Sequence, residues 1–320
     1  MTARQHHYVP QCYLKGFVRD REKPKLFVVD AKEMRSFVSH PKNVAVERDF
    51  HTIDAEGFAP DALENDLSIF EGKLDQALKR IIAARSIRDE NDRAILLNFI
   101  CMLSIKNPGR RESFRGAHEQ TAKIIMDMVS ADPGVWAAHI KRAKETGIIS
   151  ETADEAKMRE FFRRGSFTVE TPPAYHVQLE LGSFEKALPL FFKRKWRLFR
   201  APANSSGFVT CDHPTCLSWS DIQKRGGNRP PGHGLLGTQL LFPVSKELAM
   251  IGAFEIENSE GDASEMLVAE INGEIVLNSA RQVFACDEAF QYIMGHNSRI
   301  MRGLELLEDQ RSVRPQSDGN

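Results

Sequence analysis

Two imidazoles, a phenol and an amide crowd into His6-His7-Tyr8-Val9-Pro10-Gln11, near the start of a 320-residue chain. Neighbours on an extended segment point to opposite sides, so only one of His6 and His7 can enter a given pocket while the other packs or faces water. A neutral imidazole there can ligate a metal or move a proton near neutral pH; it can equally cap backbone groups of an adjoining helix. Asp212 and His213 follow the apolar stretch FVTC and precede Pro214. They fall in a turn at the carboxyl end of a strand, where a rigid sheet aims a flexible segment. The alternative is an Asx turn in which Asp212 caps its own backbone. Glu64 and Glu71 stand two helical turns apart at the border of an apolar stripe, placed for a pocket beside the core or for a solvated ion pair.

One function that such residues allow is hydrolysis of a nucleic-acid phosphodiester. His6, His7, Glu64, Glu71 and Asp212 would be the catalytic groups, with His7, Glu71 and Asp212 holding a divalent metal ion that activates water. Tyr8, Gln11, Asn43, Arg110, Arg111, His213 and Arg225 would contact the substrate, the arginines neutralising phosphate. A ββα-metal nuclease fits poorly: His7, Asn43 and His51 have the right types, but a helix interposes between His7 and the first strand. The other function is non-catalytic recognition of a protein or a nucleic acid. The histidine segment and the loop Asp221 to Gly237, which contains QKRGGNRPPGHGLLG, would then form a binding face. Basic residues cluster at Lys106, Arg110 and Arg111, at Arg163 and Arg164, at Lys193 to Arg197, and at Lys224, Arg225 and Arg229. No Walker lysine motif, G-x-G-x-x-G or G-x-S-x-G is present. Cys211, His213 and Cys216 superficially suggest zinc, yet a closed zinc site takes four ligands and no second pair is visible.

The elements that must position these residues read as α+β: an N-terminal β unit and a C-terminal antiparallel or mixed sheet around a helical middle section. Strands are expected at Lys25 to Asp30, Met34 to Ser39 and Asn43 to Ile53, with about two turns of helix over Gln11 to Val18. Leu63, Leu67, Phe70, Leu74, Leu78 and Ile81 make one helical stripe. Further helices are expected over Asp89 to Lys106, Glu112 to Ser130, Pro133 to Thr146, Asp154 to Arg164 and Ala174 to Lys193. Strands return at Trp196 to Arg200, Phe208 to Cys211, Gln239 to Val244 and Glu247 to Phe254. A helix over Ala263 to Ala280, a strand at Val283 to Cys286 and a helix over Ser298 to Glu308 follow. The pattern suggests one integrated domain over 1–309, made of a β unit (1–55), a helical section (60–193) and a β-rich section (194–309), with a disordered tail at 310–320.

The 43 basic and 44 acidic residues nearly cancel, so bulk charge does not hold a polyanion and any anion site is local. The start lacks a secretory pattern, and the longest apolar run, Ala94 to Ile105, is broken by Asn98 and Ser104. A cytoplasmic protein without membrane association is expected. Five scattered cysteines fit reduced thiols rather than a disulfide framework.

HHYVPQ-x-YLKGF, then a strand, then PKNVAVERDF, resembles the opening of the domain-of-unknown-function family 4238. The similarity continues through Asp61-Ala62-Leu63-Glu64 and Glu71, and through Thr210-Cys211-Asp212-His213-Pro214. The resemblance implies positions rather than an activity, and His51 stands where the family is expected to carry tyrosine.

Overall fold

A computed structural model describes residues 5–48, 62–106, 108–165, 167–169, 173–225, 227, 229–294 and 299–308. His51, Asp61, the end of the expected Asn43–Ile53 strand and the expected tail lie outside the described residues. So do the side chains of Glu64 and Arg110. The chain is α+β and divides into two compact units, residues 1–107 with 177–320, and residues 108–176. Among the described residues no helix is long and apolar enough to cross a membrane.

The elements run β1 (Gln5–His7), α1 (Gln11–Leu14, continued by a 3-10 turn Lys15–Phe17), β2 (Leu26–Asp30), β3 (Arg35–Ser39), β4 (Val46–Arg48), α2 (Ala62–Ala84) and α3 (Glu90–Ile105). Then come α4 (Pro108–Ala131), α5 (Pro133–Glu145), α6 (Glu155–Arg163), α7 (Pro173–Lys193), β5 (Lys195–Arg200), β6 (Thr210–Cys211), β7 (Cys216–Trp219), β8 (Thr238–Ser245) and β9 (Leu248–Ala253). The last are β10 (Ser259–Asp262), α8 (Glu265–Asn278), β11 (Gln282–Ala285), β12 (Gln291–Tyr292) and β13 (Met301–Arg302). Helix starts follow local chemistry. Asp89, Asp132, Asp154 and Ser264 each accept a backbone N–H of the first turn of α3, α5, α6 and α8, satisfying donors that have no partner within the helix.

Two sheets organise the first unit. One has the order β10-β5-β9-β8-β7, antiparallel except for the parallel β10–β5 pair; the other is antiparallel with the order β3-β2-β11-β6. Leu240, Phe242 and Val244 of β8 and Leu26 and Val28 of β2 enter one apolar cluster with α1, α2 and α3. Leu241, Phe27 and Val29 enter a second cluster with α8 and β11. Strands buried on both faces read in sequence as unbroken apolar runs, which is why β2, β8 and β9 were legible.

The structure departs from the sequence pattern in three places. Phe208 and Val209 do not join the β6 ladder, because their amides bond Lys246 O at 2.8 Å and Asn272 Oδ1 at 2.9 Å. The helix expected over 298–308 is reduced to 306–308, with β13 and a 3-10 turn Gly303–Glu305 before it. Gly303 lies so close to the Phe290 ring that a Cβ would stand 2.4 Å from it. The strands β7, β10, β12 and β13 carried no clear pattern, being two to four residues long, and β10 (SEGD) is wholly without apolar side chains.

Gly273 in α8 yields a test of this packing. An alanine in a helix interior ordinarily stabilises by about 1 kcal/mol over glycine. Here a Cβ would sit 1.8 Å from Ile293 O, and Ile293 is itself tied to α8 through its amide on Ala269 O at 2.9 Å. Gly273→Ala is therefore expected to destabilise by about 2–3 kcal/mol. Urea unfolding measures it, and a stabilised variant would show the close approach to be wrong.

Candidate functional site

Tyr13 lies at the centre of the N-terminal motif, fully buried, with its ring against Phe17, Phe99 and Phe242 at centroid distances of 5.2, 5.3 and 5.3 Å. Its hydroxyl donates to Pro243 O at 2.7 Å and meets the Thr210 hydroxyl at 2.7 Å. Pro243 belongs to the five-stranded sheet and Thr210 to the four-stranded one, so a single phenol joins the two. Gly16 packs on Ser245, and its carbonyl accepts from Lys246 N at 3.0 Å. The YLKGF half of the motif thus builds the core, its buried phenol satisfied on both sides.

The HHY half lies on β1, which pairs with β4 so that His6 faces Glu47 and His7 faces Val46 across the ladder. His6 is buried; His7 and Tyr8 are half-buried. Burial, then the negative charges of Asp212 and Glu47, pushes the Tyr8 phenol well above its ordinary range, while Arg281 opposes them. These groups therefore share one neighbourhood. Arg281 is in turn held by Asp30, with Nη2 to Oδ2 at 2.8 Å and Nε to the two oxygens at 2.9 and 3.1 Å; Gln282 Nε2 donates to the same carboxylate at 2.7 Å. Burial raises the Asp30 carboxyl, but these bonds and the Glu33 amide outweigh it and hold the group below its ordinary value. Sequence reading missed Asp30, Arg281 and Gln282. Their one signal was a charged residue ending an apolar strand, and its partner is 251 residues away.

The Asp212 carboxylate reaches beyond its own turn, where Pro214 has no N–H for an Asx turn to use. Its Oδ1 accepts Ala280 N and its Oδ2 accepts Gln282 N, both at 2.9 Å, so both oxygens brace the connection from α8 to β11. Burial pushes this carboxyl up to about 6, against the opposing pull of those amides. The folded protein then holds the proton more tightly than an unfolded chain with the ordinary value of 3.8. The stabilisation is full below about pH 4 and is lost as pH rises through about 6, a change of roughly 3 kcal/mol. Asp212→Asn is expected to lack that slope while losing one of the two amide bonds at every pH. Urea unfolding in steps from pH 4 to 7 decides it; parallel curves for the two proteins would refute the assignment.

The remaining candidate residues are dispersed. Glu71 is half-buried on α2, where its charge acts on Cys12, whose thiol burial pushes up to about 12. Gln11 opens α1, and Asn43 is exposed, with its amide on His40 O at 2.9 Å. Arg111 is half-buried on α4, in the 108–176 unit. The His213 and Thr215 carbonyls both accept from Asn278 Nδ2, at 2.6 and 3.1 Å, which ties that turn to the end of α8. Among the described residues no three His, Cys, Asp or Glu side chains are placed to hold a metal ion, so His7, Glu71 and Asp212 do not form a ligand set. Cys211 and Cys216 are buried free thiols.

Arg225 leads to a different place. Its Nε donates to Trp219 O at 2.9 Å, its Nη2 reaches Ser218 Oγ at 3.4 Å, and its Nη1 pairs with Glu274 of α8. This clamp holds the start of the Gly-Pro loop beside a cleft of about 990 Å³ between α8 and strands β8 and β9. Leu241, Ile251, Leu267, Ile271 and Ile293 line its apolar interior. At its rim Ile222, Leu277 and Met266 are 63, 52 and 44% exposed. Gln223, Gln239 and Glu270 supply polar groups. A smaller apolar cavity of about 320 Å³ opens among Phe70, Met102, Leu181 and Phe184.

A family model described as a protein of unknown function (DUF4238) matches residues 5–289. The chain belongs to that family. No curated protein and no solved structure matches it. The DUF4238 match runs from Gln5 of β1 to beyond β11, so it takes in the HHYVPQ segment, the Tyr13 junction, the Asp212 brace and all of α8. The segment that carries the resemblance is thus also the segment that joins the two sheets of this DUF4238 protein.

Proposed function

We propose that this DUF4238 protein is a non-catalytic recognition protein that holds an apolar segment of a partner protein in the cleft between α8 and β8–β9. The observation that carries the reading is the exposed rim of Ile222, Met266 and Leu277 around an apolar interior. Covering what remains exposed of each such side chain is worth about 1–1.5 kcal/mol, and exposed apolar patches mark interaction sites. The polar groups beside them, Gln223 and Gln239, can orient a bound backbone. The metal-dependent nuclease reading has less support, since both Asp212 oxygens are committed to backbone amides and Glu71 sits with Cys12. A nucleic-acid partner is disfavoured at this cleft because α8 carries Glu265, Glu270 and Glu274 and no basic residue.

The test is selection from a random displayed peptide library, with Ile222→Asp/Met266→Asp/Leu277→Asp as the comparison. All three positions are exposed, so the variant is expected to keep the wild-type melting temperature and to bind the selected peptides at least about tenfold more weakly. Peptides that bind both proteins equally would sink the cleft reading. Nucleic-acid cleavage that needs a divalent ion and disappears in a folded Asp212→Asn protein would favour the nuclease instead.

A further inference from the structure

Resting on that reading, we infer that the partner segment is basic and amphipathic, with a lysine or arginine set among its apolar residues to meet Glu270. Met266, Glu270, Gly273, Glu274 and Leu277 all line the cleft, and their spacing of three and four places them along one face of α8. From Met266 to Leu277 this face is about 16 Å long, enough for three turns of a bound helix or five extended residues. Of the three carboxylates of α8, Glu265 accepts from Asn204 Nδ2 at 3.2 Å and Glu274 is paired with Arg225. Glu270 is exposed and has neither a hydrogen bond nor an ion pair among the described residues. The polar and charged residues that share the cleft with it from β8 and from the loop are the neutral Gln239 and Gln223 and the already paired Arg225. Lys224 of the same loop stands toward the Trp219 ring, 5.8 Å from its centroid. One uncompensated negative charge therefore sits midway along an apolar groove. An all-apolar occupant would cover that carboxylate and gain nothing in return, whereas a cation one helical turn from an apolar anchor would pair with it at the moment of docking.

The experiment pans the same random peptide library against wild type, Glu270→Gln and Glu270→Lys, and measures dissociation constants of the enriched peptides by fluorescence polarisation. Wild type is expected to enrich peptides with lysine or arginine beside apolar residues. Those peptides should bind Glu270→Gln about three- to fivefold more weakly and Glu270→Lys about tenfold more weakly, and Glu270→Lys should itself enrich aspartate or glutamate. If all three proteins enrich the same sequences with equal affinity, and the Ile222→Asp/Met266→Asp/Leu277→Asp protein still loses them, the charge inference falls while the cleft reading stands. If that triple variant keeps the binding, or no peptide it loses is enriched, both fall.

Discussion

Replacing Arg194 by alanine is expected to lower the free energy of unfolding by about 4 kcal/mol, one of the largest single-residue effects in the protein. Arg194 is the second residue of the KRKWR run but is fully buried. Its Nη1 donates to Thr238 O at 2.8 Å and Gly252 O at 3.0 Å, and its Nη2 to His233 O at 3.0 Å and Thr238 Oγ1 at 2.9 Å. The guanidinium carbon lies 4.4 Å from the centre of the Phe254 ring. Burial lowers the group to about 10, with Glu255 opposing, so it remains charged at neutral pH and is held by carbonyl dipoles and an aromatic face. Alanine would strand the Thr238 and Gly252 carbonyls in the interior, each an acceptor whose loss is costly. It would also release the Gly-Pro loop at His233. Arg194→Lys should recover little, because one ammonium cannot span acceptors that the planar fork reaches together. Urea unfolding gives the stability, and amide exchange across 229–237 gives the loop. A variant within about 1 kcal/mol of wild type would show that the loop is secured by something else.

Tyr13→Ala should cost a similar amount, about 4 kcal/mol, by opening a cavity among Phe17, Phe99 and Phe242. Tyr13→Phe isolates the polar part: the ring stays, Pro243 O loses its donor and the Thr210 hydroxyl loses its acceptor, for an expected loss of about 1–3 kcal/mol. Combining it with Thr210→Val measures the coupling between the sheets. Strictly additive losses would mean that the 2.7 Å contact to Thr210 contributes nothing of its own.

These two residues also mark the limits of what the sequence disclosed. The apolar stripe from Leu63 to Ile81 and the capped start at Asp89 fixed α2 and α3, since helix periodicity and capping are local. Arg194 looked like one of five residues in a solvated basic run. Its inward turn follows from the alternating burial that continues through Lys195 to Leu198, with the odd-numbered side chains out and Trp196 and Leu198 in. Asp212 was visible as a carboxylate in a turn, but the amides that occupy it belong to residues 280 and 282 and are supplied by tertiary structure. Of the cleft only the loop Asp221 to Gly237, with Arg225, was legible as a binding element, because no spacing rule connects it to the two strands and the helix that complete the walls.

The strand order β3-β2-β11-β6 has a consequence for how the chain is made. β2 is buried on both faces, and its inner neighbour β11 follows 252 residues later, counted from Asp30 to Gln282. On a ribosome, Leu26 to Asp30 emerges long before Gln282 to Ala285 exists to cover it. The four-stranded sheet therefore cannot close vectorially from the amino end. Such sequence separation slows folding and leaves a bare apolar edge in the interim, a state that invites misassociation unless a chaperone shields it.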